Sequence, residues 1–284
     1  MLETRDLTIQ FGGHVAVNGV SCVFQPGTLT AIVGPNGAGK TTYFNLVSGQ
    51  LKATRGRVLL QGQDISALSA SARTQAGIGR AFQLTNLFPT LTVLENVRLA
   101  VQARTPGAHR RGLNGWSIWS DHADLIERAK SILDHVSMQA QADQIVASLP
   151  HGDQRKLEVA LLMALDPLVY LFDEPTAGMS ADEAPVILDL IRRLKADRRH
   201  TLLLVEHKMD VVRELADRII VLHNGRLVAD GAPAEVMASD VVREAYLGGA
   251  APMPVEAGTA FSQGASSSSE VTSSSTVSGH GVSR

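Results

Sequence analysis

The nine residues Gly34-Pro35-Asn36-Gly37-Ala38-Gly39-Lys40-Thr41-Thr42 follow an aliphatic run, Leu29 to Val33, and open a helix-compatible segment, Lys40 to Ser48. They fit the pattern G-x-x-x-x-G-K-[ST], and both flanks are the ones it requires: a buried strand before and a helix after. No other feature constrains the chain so strongly. Such a loop turns backbone N–H groups inward around an anion, and glycine permits the turn because no Cβ stands in the way. The helix N-terminus adds the positive end of its dipole. Lys40 supplies a point charge for β- and γ-phosphates, and the Thr41 hydroxyl is an oxygen ligand for Mg²⁺. The loop predicts phosphate binding at the end of a strand in an α/β fold.

A metal-bound phosphate chain needs an acid opposite the loop. Leu168 to Phe172 is an apolar strand ending in Asp173-Glu174. An Asp there can hold the metal through water, and the adjacent Glu can polarise an attacking water. Asp173 is therefore assigned to Mg²⁺ and Glu174 to the catalytic base.

The rest of the chain supports the α/β reading. Val169 to Phe172, Thr201 to Val205 and Arg218 to His223 read as buried strands, and Asn224-Gly225 before Arg226 to Ala229 predicts a hairpin. Leu125, Ile126, Ala129, Ile132, Leu133 and Val136 share one helical face, as do Val186, Ile187, Leu190, Ile191 and Leu194. Strand–helix alternation predicts a mostly parallel sheet. Thr4 to Ile9, Val20 to Phe24 and Arg57 to Leu60 have few helices between them and predict an antiparallel part. From about Leu84 to Leu149 the pattern is mostly helical, with a long surface loop from Thr105 to Asp121.

Composition removes several function classes. Among 284 residues 44% are hydrophobic and 19% charged, enough for a sizeable core. A net charge of −2 argues against a nucleic-acid protein held by bulk positive charge. Cys22, the single cysteine, cannot form an internal disulfide. The charged start, Met1 to Asp6, predicts no signal peptide. Val159 to Phe172 is interrupted by Asp166-Pro167 and falls short of the roughly 20 apolar residues a bilayer span needs. Beyond Gly248 the chain turns rich in serine, with Ser266 to Ser269 and Ser273 to Ser275, and predicts a disordered tail over 249–284.

The pairing of Gly34–Thr42 with Val169 to Pro175 resembles the ATP-binding subunit of an ABC transporter, over about residues 1–248. That resemblance implies a P-loop NTPase fold with a RecA-like parallel-sheet core, an antiparallel β subdomain and a helical subdomain over about 85–150. It implies ATP and Mg²⁺ as ligands and ATP hydrolysis as the activity. Gly34 through Thr42 would hold the nucleotide, and Thr41, Gln83 and Asp173 the metal. Gln83, in Gly79-Arg-Ala-Phe-Gln83, corresponds to a residue that senses both metal and transport partner. His207, ending Leu204-Val-Glu-His207, corresponds to a γ-phosphate contact and joins Glu174 as catalytic. Phe11 fits the place of an aromatic residue that stacks on adenine.

The family's signature reads Leu-Ser-Gly-Gly-Gln; here it is Leu149-Pro150-His151-Gly152-Asp153. The signature serine reaches the γ-phosphate bound by a second subunit, and Pro150 has no such donor. The Gly152 N–H and the helix after it remain able to act on that phosphate. Ala177-Gly178-Met179 replaces the usual run after the acids, although Ser180-Ala-Asp-Glu183 also has the form of a capping box. With the insert after Gln83 and the ending Ala245-Tyr-Leu-Gly248, these departures resemble import ATPases of the branched-chain amino acid type, to which urea and amide importers are similar. The partners implied are transmembrane permease subunits and a second ATPase subunit, a sibling chain in preference to a second copy. No nucleic acid is expected. Membrane contact would run only through the permease, on the cytoplasmic face of the inner membrane. Two alternatives stand beside this reading: a soluble ABC protein of translation or repair, and a small-molecule kinase using the same loop.

Overall fold

The computed structural model describes residues 1–81, 87–104, 123–179, 184–240 and 242. The expectations for Gln83, for the loop at 105–121, for the capping box at 180–183 and for the tail at 249–284 fall wholly or almost wholly outside those residues. The compact unit runs from Met1 to Gly249.

The strands in chain order are β1 (Leu2–Phe11), β2 (His14–Phe24), β3 (Leu29–Val33), β4 (Arg55–Leu60), β5 (Gln63–Asp64), β6 (Ile78–Ala81), β7 (Val169–Asp173), β8 (Thr201–Val205), β9 (Arg218–His223) and β10 (Arg226–Gly231). The described helices are α1 (Lys40–Ser48), α2 (Ala70–Ala76), α3 (Val93–Arg104), α4 (Ala123–His135), α5 (His151–Leu165), α6 (Ala184–Ala196), α7 (Met209–Leu215) and α8 (Pro233–Ala238).

Six strands form the central sheet in the order β10-β9-β3-β8-β7-β6, parallel except where β10 folds back on β9. Every residue of β3, β7 and β8 is buried, as expected of aliphatic runs covered on both faces. The two faces alternate: Tyr170, Phe172, Leu202 and Leu204 join the helical side, whereas Leu171, Leu203 and Val205 face the second sheet. That second sheet is antiparallel, in the order β2-β1-β4-β5. Strands β1 and β2 run well past the segments read from sequence, because their outer halves alternate polar and apolar residues across several register shifts.

Helices α3, α4 and α5 pack on one another as the helical part. On α4, Leu125, Ala129, Ile132 and Leu133 are buried, as the spacing predicts. On α6, Ile187, Leu190, Ile191 and Leu194 are buried but Val186 is 38% exposed. Val186 sits at the edge of the apolar stripe, where helical spacing alone does not separate buried from exposed positions.

The parallel register places the site. Ile32 of β3 and Asp173 of β7 both lie beside Val205 of β8, so the C-terminal ends of three strands come level. Parallel α/β sheets bind ligands at that edge. The Asn224-Gly225 turn has positive φ at both residues, 49° and 74°, as a two-residue hairpin demands. Its Gly225 N–H donates to the Ala38 carbonyl at 3.0 Å and so braces the loop after β3.

Candidate functional site

The loop between β3 and α1 wraps tightly. Gly34 has φ of 150° and Gly39 has φ of 98°. A Cβ at Gly34 would lie 2.1 Å from the Leu222 carbonyl oxygen, and one at Gly39 would lie 2.4 Å from that of Ala16. Only glycine fits either place. Lys40 is 6% exposed and reaches back into the loop, its Nζ donating to the carbonyls of Gly34 at 2.7 Å and Pro35 at 3.0 Å. Burial lowers the Lys40 pKa, while Glu174 and Asp173 pull it back up. A buried ammonium held against the loop backbone is a cation suited to an anion, and a phosphate chain arriving there would gain a partner already in position.

Phe11, His14, Ala16, Asn36 to Thr42, Glu174 and His207 line one cavity of about 410 Å³. Phe11 stands at its rim, 49% exposed. His207 Nε2 meets Glu174 Oε1 at 2.8 Å, facing the loop from the ends of β8 and β7. Glu174 has φ of 51°, a left-handed conformation that costs a residue with a Cβ about 1–3 kcal/mol. A carboxylate paired with an imidazole beside a phosphate-binding loop can orient and deprotonate a water. Nothing in the local sequence pattern of His14 marks it as part of a site.

Asp173, the residue before Glu174, is not among the residues that line this cavity; it is 8% exposed, with its Oδ2 accepting from Arg80 Nη2 at 2.6 Å. Burial raises the Asp173 pKa and Arg80 opposes that rise. Arg80 also donates to Asn45 Oδ1, Ser48 Oγ and Gln50 Oε1, and its guanidinium lies 5.7 Å from the Phe44 ring centroid. It thus joins β6, β7 and α1. In the sequence the only signal of Arg80 is its place three residues before Gln83.

The pair yields a stability prediction. Arg80→Ala strands a buried carboxylate, at a cost of about 3 kcal/mol, and the melting temperature should fall by roughly 6–12 °C. Adding Asp173→Asn should recover most of that fall. Calorimetry on the single and double variants checks both steps.

Gly152 is placed elsewhere, buried in the first turn of α5 and not among the residues that line the cavity. Pro150 is the N-cap of α5 and makes no side-chain capping bond; Asp153 pairs with Lys156 at 2.8 Å. Gln154 Nε2 donates to the Leu149 carbonyl at 3.0 Å.

Fold and site together define a P-loop nucleotide-binding ATPase. A profile of the ABC transporter family matches residues 17–177, and one described as branched-chain amino acid ATP-binding cassette transporter matches residues 226–252. The high-affinity branched-chain amino acid transport ATP-binding protein LivG of Escherichia coli is 35% identical over 249 residues, covering 87% of this chain and 98% of that protein. The corresponding protein BraF of Pseudomonas aeruginosa is 34% identical over the same shares of both chains. A solved nucleotide-free ATP-binding cassette from an ABC transporter superimposes with a TM-score of 0.73 at 29% identity, covering 87% of this chain and 98% of that one. The chain belongs to the ABC transporter family, in which it is an ATP-hydrolysing subunit. Membership removes the kinase alternative and disfavours a soluble translation or repair factor.

Proposed function

We propose that this chain powers import of branched-chain amino acids, or a related small polar solute such as urea or an amide, through a separate membrane permease. The observation that carries this reading is the meeting of loop residues Asn36–Thr42, Glu174 and His207 in one cavity, in a chain similar to LivG and BraF along nearly their whole length. Backbone amides and Lys40 would hold the β- and γ-phosphates, Phe11 would stack on adenine, and Glu174 would activate water with His207 against the γ-phosphate. Thr41 and Gln83, with Asp173 through the carboxylate oxygen that Arg80 does not hold, would offer oxygen ligands to Mg²⁺, which would supply charge neutralisation across the phosphates. The tail over 249–284 is proposed to be dispensable for this chemistry.

The permease is proposed to seat in the groove between α3 and α5. Phe88, Leu99, Ala100, Leu161 and Leu165 line it, and Phe88 is 54% exposed. An apolar groove of this kind marks an interaction surface. It adjoins Ala81, the end of the strand that leads to Gln83. No described helix is long and apolar enough to cross a membrane. Membrane attachment is proposed to run through that partner, on the cytoplasmic face. Leu99→Asp should leave nucleotide binding within twofold of native and abolish copurification with the permease. Retained copurification would place the contact elsewhere.

A second ATPase subunit is proposed to supply the signature facing this chain's nucleotide. Pro150 gives this chain's own signature no hydroxyl donor, and losing one such donor costs about 2.7–4 kcal/mol in well-studied sites. A sibling chain bearing a better loop is therefore favoured over a second copy. Mass measurement of the intact permease complex decides: one copy beside a sibling supports the mixed pair, two copies overturn it.

A further inference from the structure

We propose that Glu206 is a positioning residue for hydrolysis: it ties the segment bearing His207 to the turn after Glu174, so that the two side chains meet over the phosphate-binding loop. The proposal rests on the assignment of Glu174 and His207 given above and adds a residue to it.

Glu206 follows β8 and is 3% exposed. Its Oε1 accepts from the Thr176 hydroxyl at 2.5 Å, and Thr176 is 1% exposed. Its Oε2 accepts from the backbone N–H of His207 at 2.7 Å and of Lys208 at 3.1 Å. One buried carboxylate thus holds two loops that leave neighbouring strands. A polar side chain this deeply buried is tolerable only with such donors around it.

The position of these bonds decides what they do. The β7–β8 ladder ends at Asp173 opposite Val205, and the main chain adds a link from the Glu174 N–H to the Val205 carbonyl at 2.9 Å. The Glu206 bonds lie past that point. Glu174 itself sits at φ 51°, and its carbonyl accepts from the Ala177 N–H at 3.0 Å, closing the turn that contains Thr176. Gripping Thr176 therefore holds the strained turn from its far side. Gripping the His207 and Lys208 amides fixes where the imidazole leaves the chain. The 2.8 Å contact between His207 Nε2 and Glu174 Oε1 follows from both.

Glutamate lets every donor in this cluster keep its acceptor. Glutamine can hold the two backbone N–H groups through its oxygen only by turning its NH₂ group to Thr176, whose hydroxyl must then accept and leaves its own buried hydrogen without the acceptor Glu206 supplied. Aspartate is one methylene too short to span both loops. A group that merely capped α7 would change the melting temperature and leave turnover alone. A positioning group changes turnover with little effect on binding, since a misplacement of about 1 Å can cost 10²-fold in rate.

The test measures ATP turnover by the full-length chain, assembled with its membrane partners, at a temperature well below melting. Binding of a fluorescent ATP analogue without magnesium is measured in parallel. Glu206→Gln should lower kcat about 10- to 100-fold, with KM and analogue affinity within about threefold of native. Thr176→Val, which removes one of three bonds, should lower kcat less, and Thr176→Ser should restore it. Should Glu206→Gln fail to fold, the two Thr176 variants carry the test. Native kcat in Glu206→Gln or in Thr176→Val, or a loss residing in KM, would overturn the proposal. Glu174→Gln and His207→Ala are run as references: native turnover in both would instead overturn the underlying assignment, and the proposal with it.

Discussion

Glu174→Gln should bind ATP as tightly as the native chain and hydrolyse it about 100-fold or more slowly, the usual worth of a positioned general base. The substitution keeps the size of the side chain and its place on the strained turn after β7. It removes the carboxylate that faces His207 Nε2 at 2.8 Å and that would take the proton from water. Lys40 and the loop after β3, the groups proposed to hold the phosphates, are not altered by the substitution. The loss should therefore reside in kcat and not in KM. Single-turnover hydrolysis together with equilibrium ATP binding separates the two. Native turnover would show that another group activates the water.

Lys40→Ala should weaken ATP binding by roughly 10- to 100-fold, because a hydrogen bond to a charged group contributes about 1.5–3 kcal/mol. Two effects combine. The variant lacks the cation that would face the phosphates, and it also lacks the bonds from Nζ to the Gly34 and Pro35 carbonyls that shape the loop. Titration of a fluorescent ATP analogue measures the shift. An unchanged dissociation constant would remove Gly34–Thr42 from the nucleotide site.

The central sheet was legible because its strands are unbroken aliphatic runs, and Leu29–Val33, Val169–Phe172 and Thr201–Val205 could be read almost residue by residue. β6, Ile78–Ala81, escaped notice: it is four residues long, and Gly79 and Arg80 interrupt its apolar pattern. Helix α2 escaped as well, since Ala70–Ala76 buries only Arg73 and carries no apolar stripe. In the site, the loop and the Asp173-Glu174 pair stood out because their chemistry is carried by contiguous residues. Arg80 and Glu206 did not stand out. Their work depends on partners 93 and 30 positions away, which only the sheet register brings within reach. His207 and Phe11 entered through family resemblance, not through any local pattern.

ATP turnover at Glu174 is proposed to drive solute import, and uptake of radiolabelled leucine, isoleucine and valine by cells that depend on this chain reads that link. Cells carrying the native chain should accumulate label. Cells carrying Glu174→Gln should not, although the variant remains at the membrane with its permease. Equal uptake in the two strains, with equal amounts of chain at the membrane, would contradict the account.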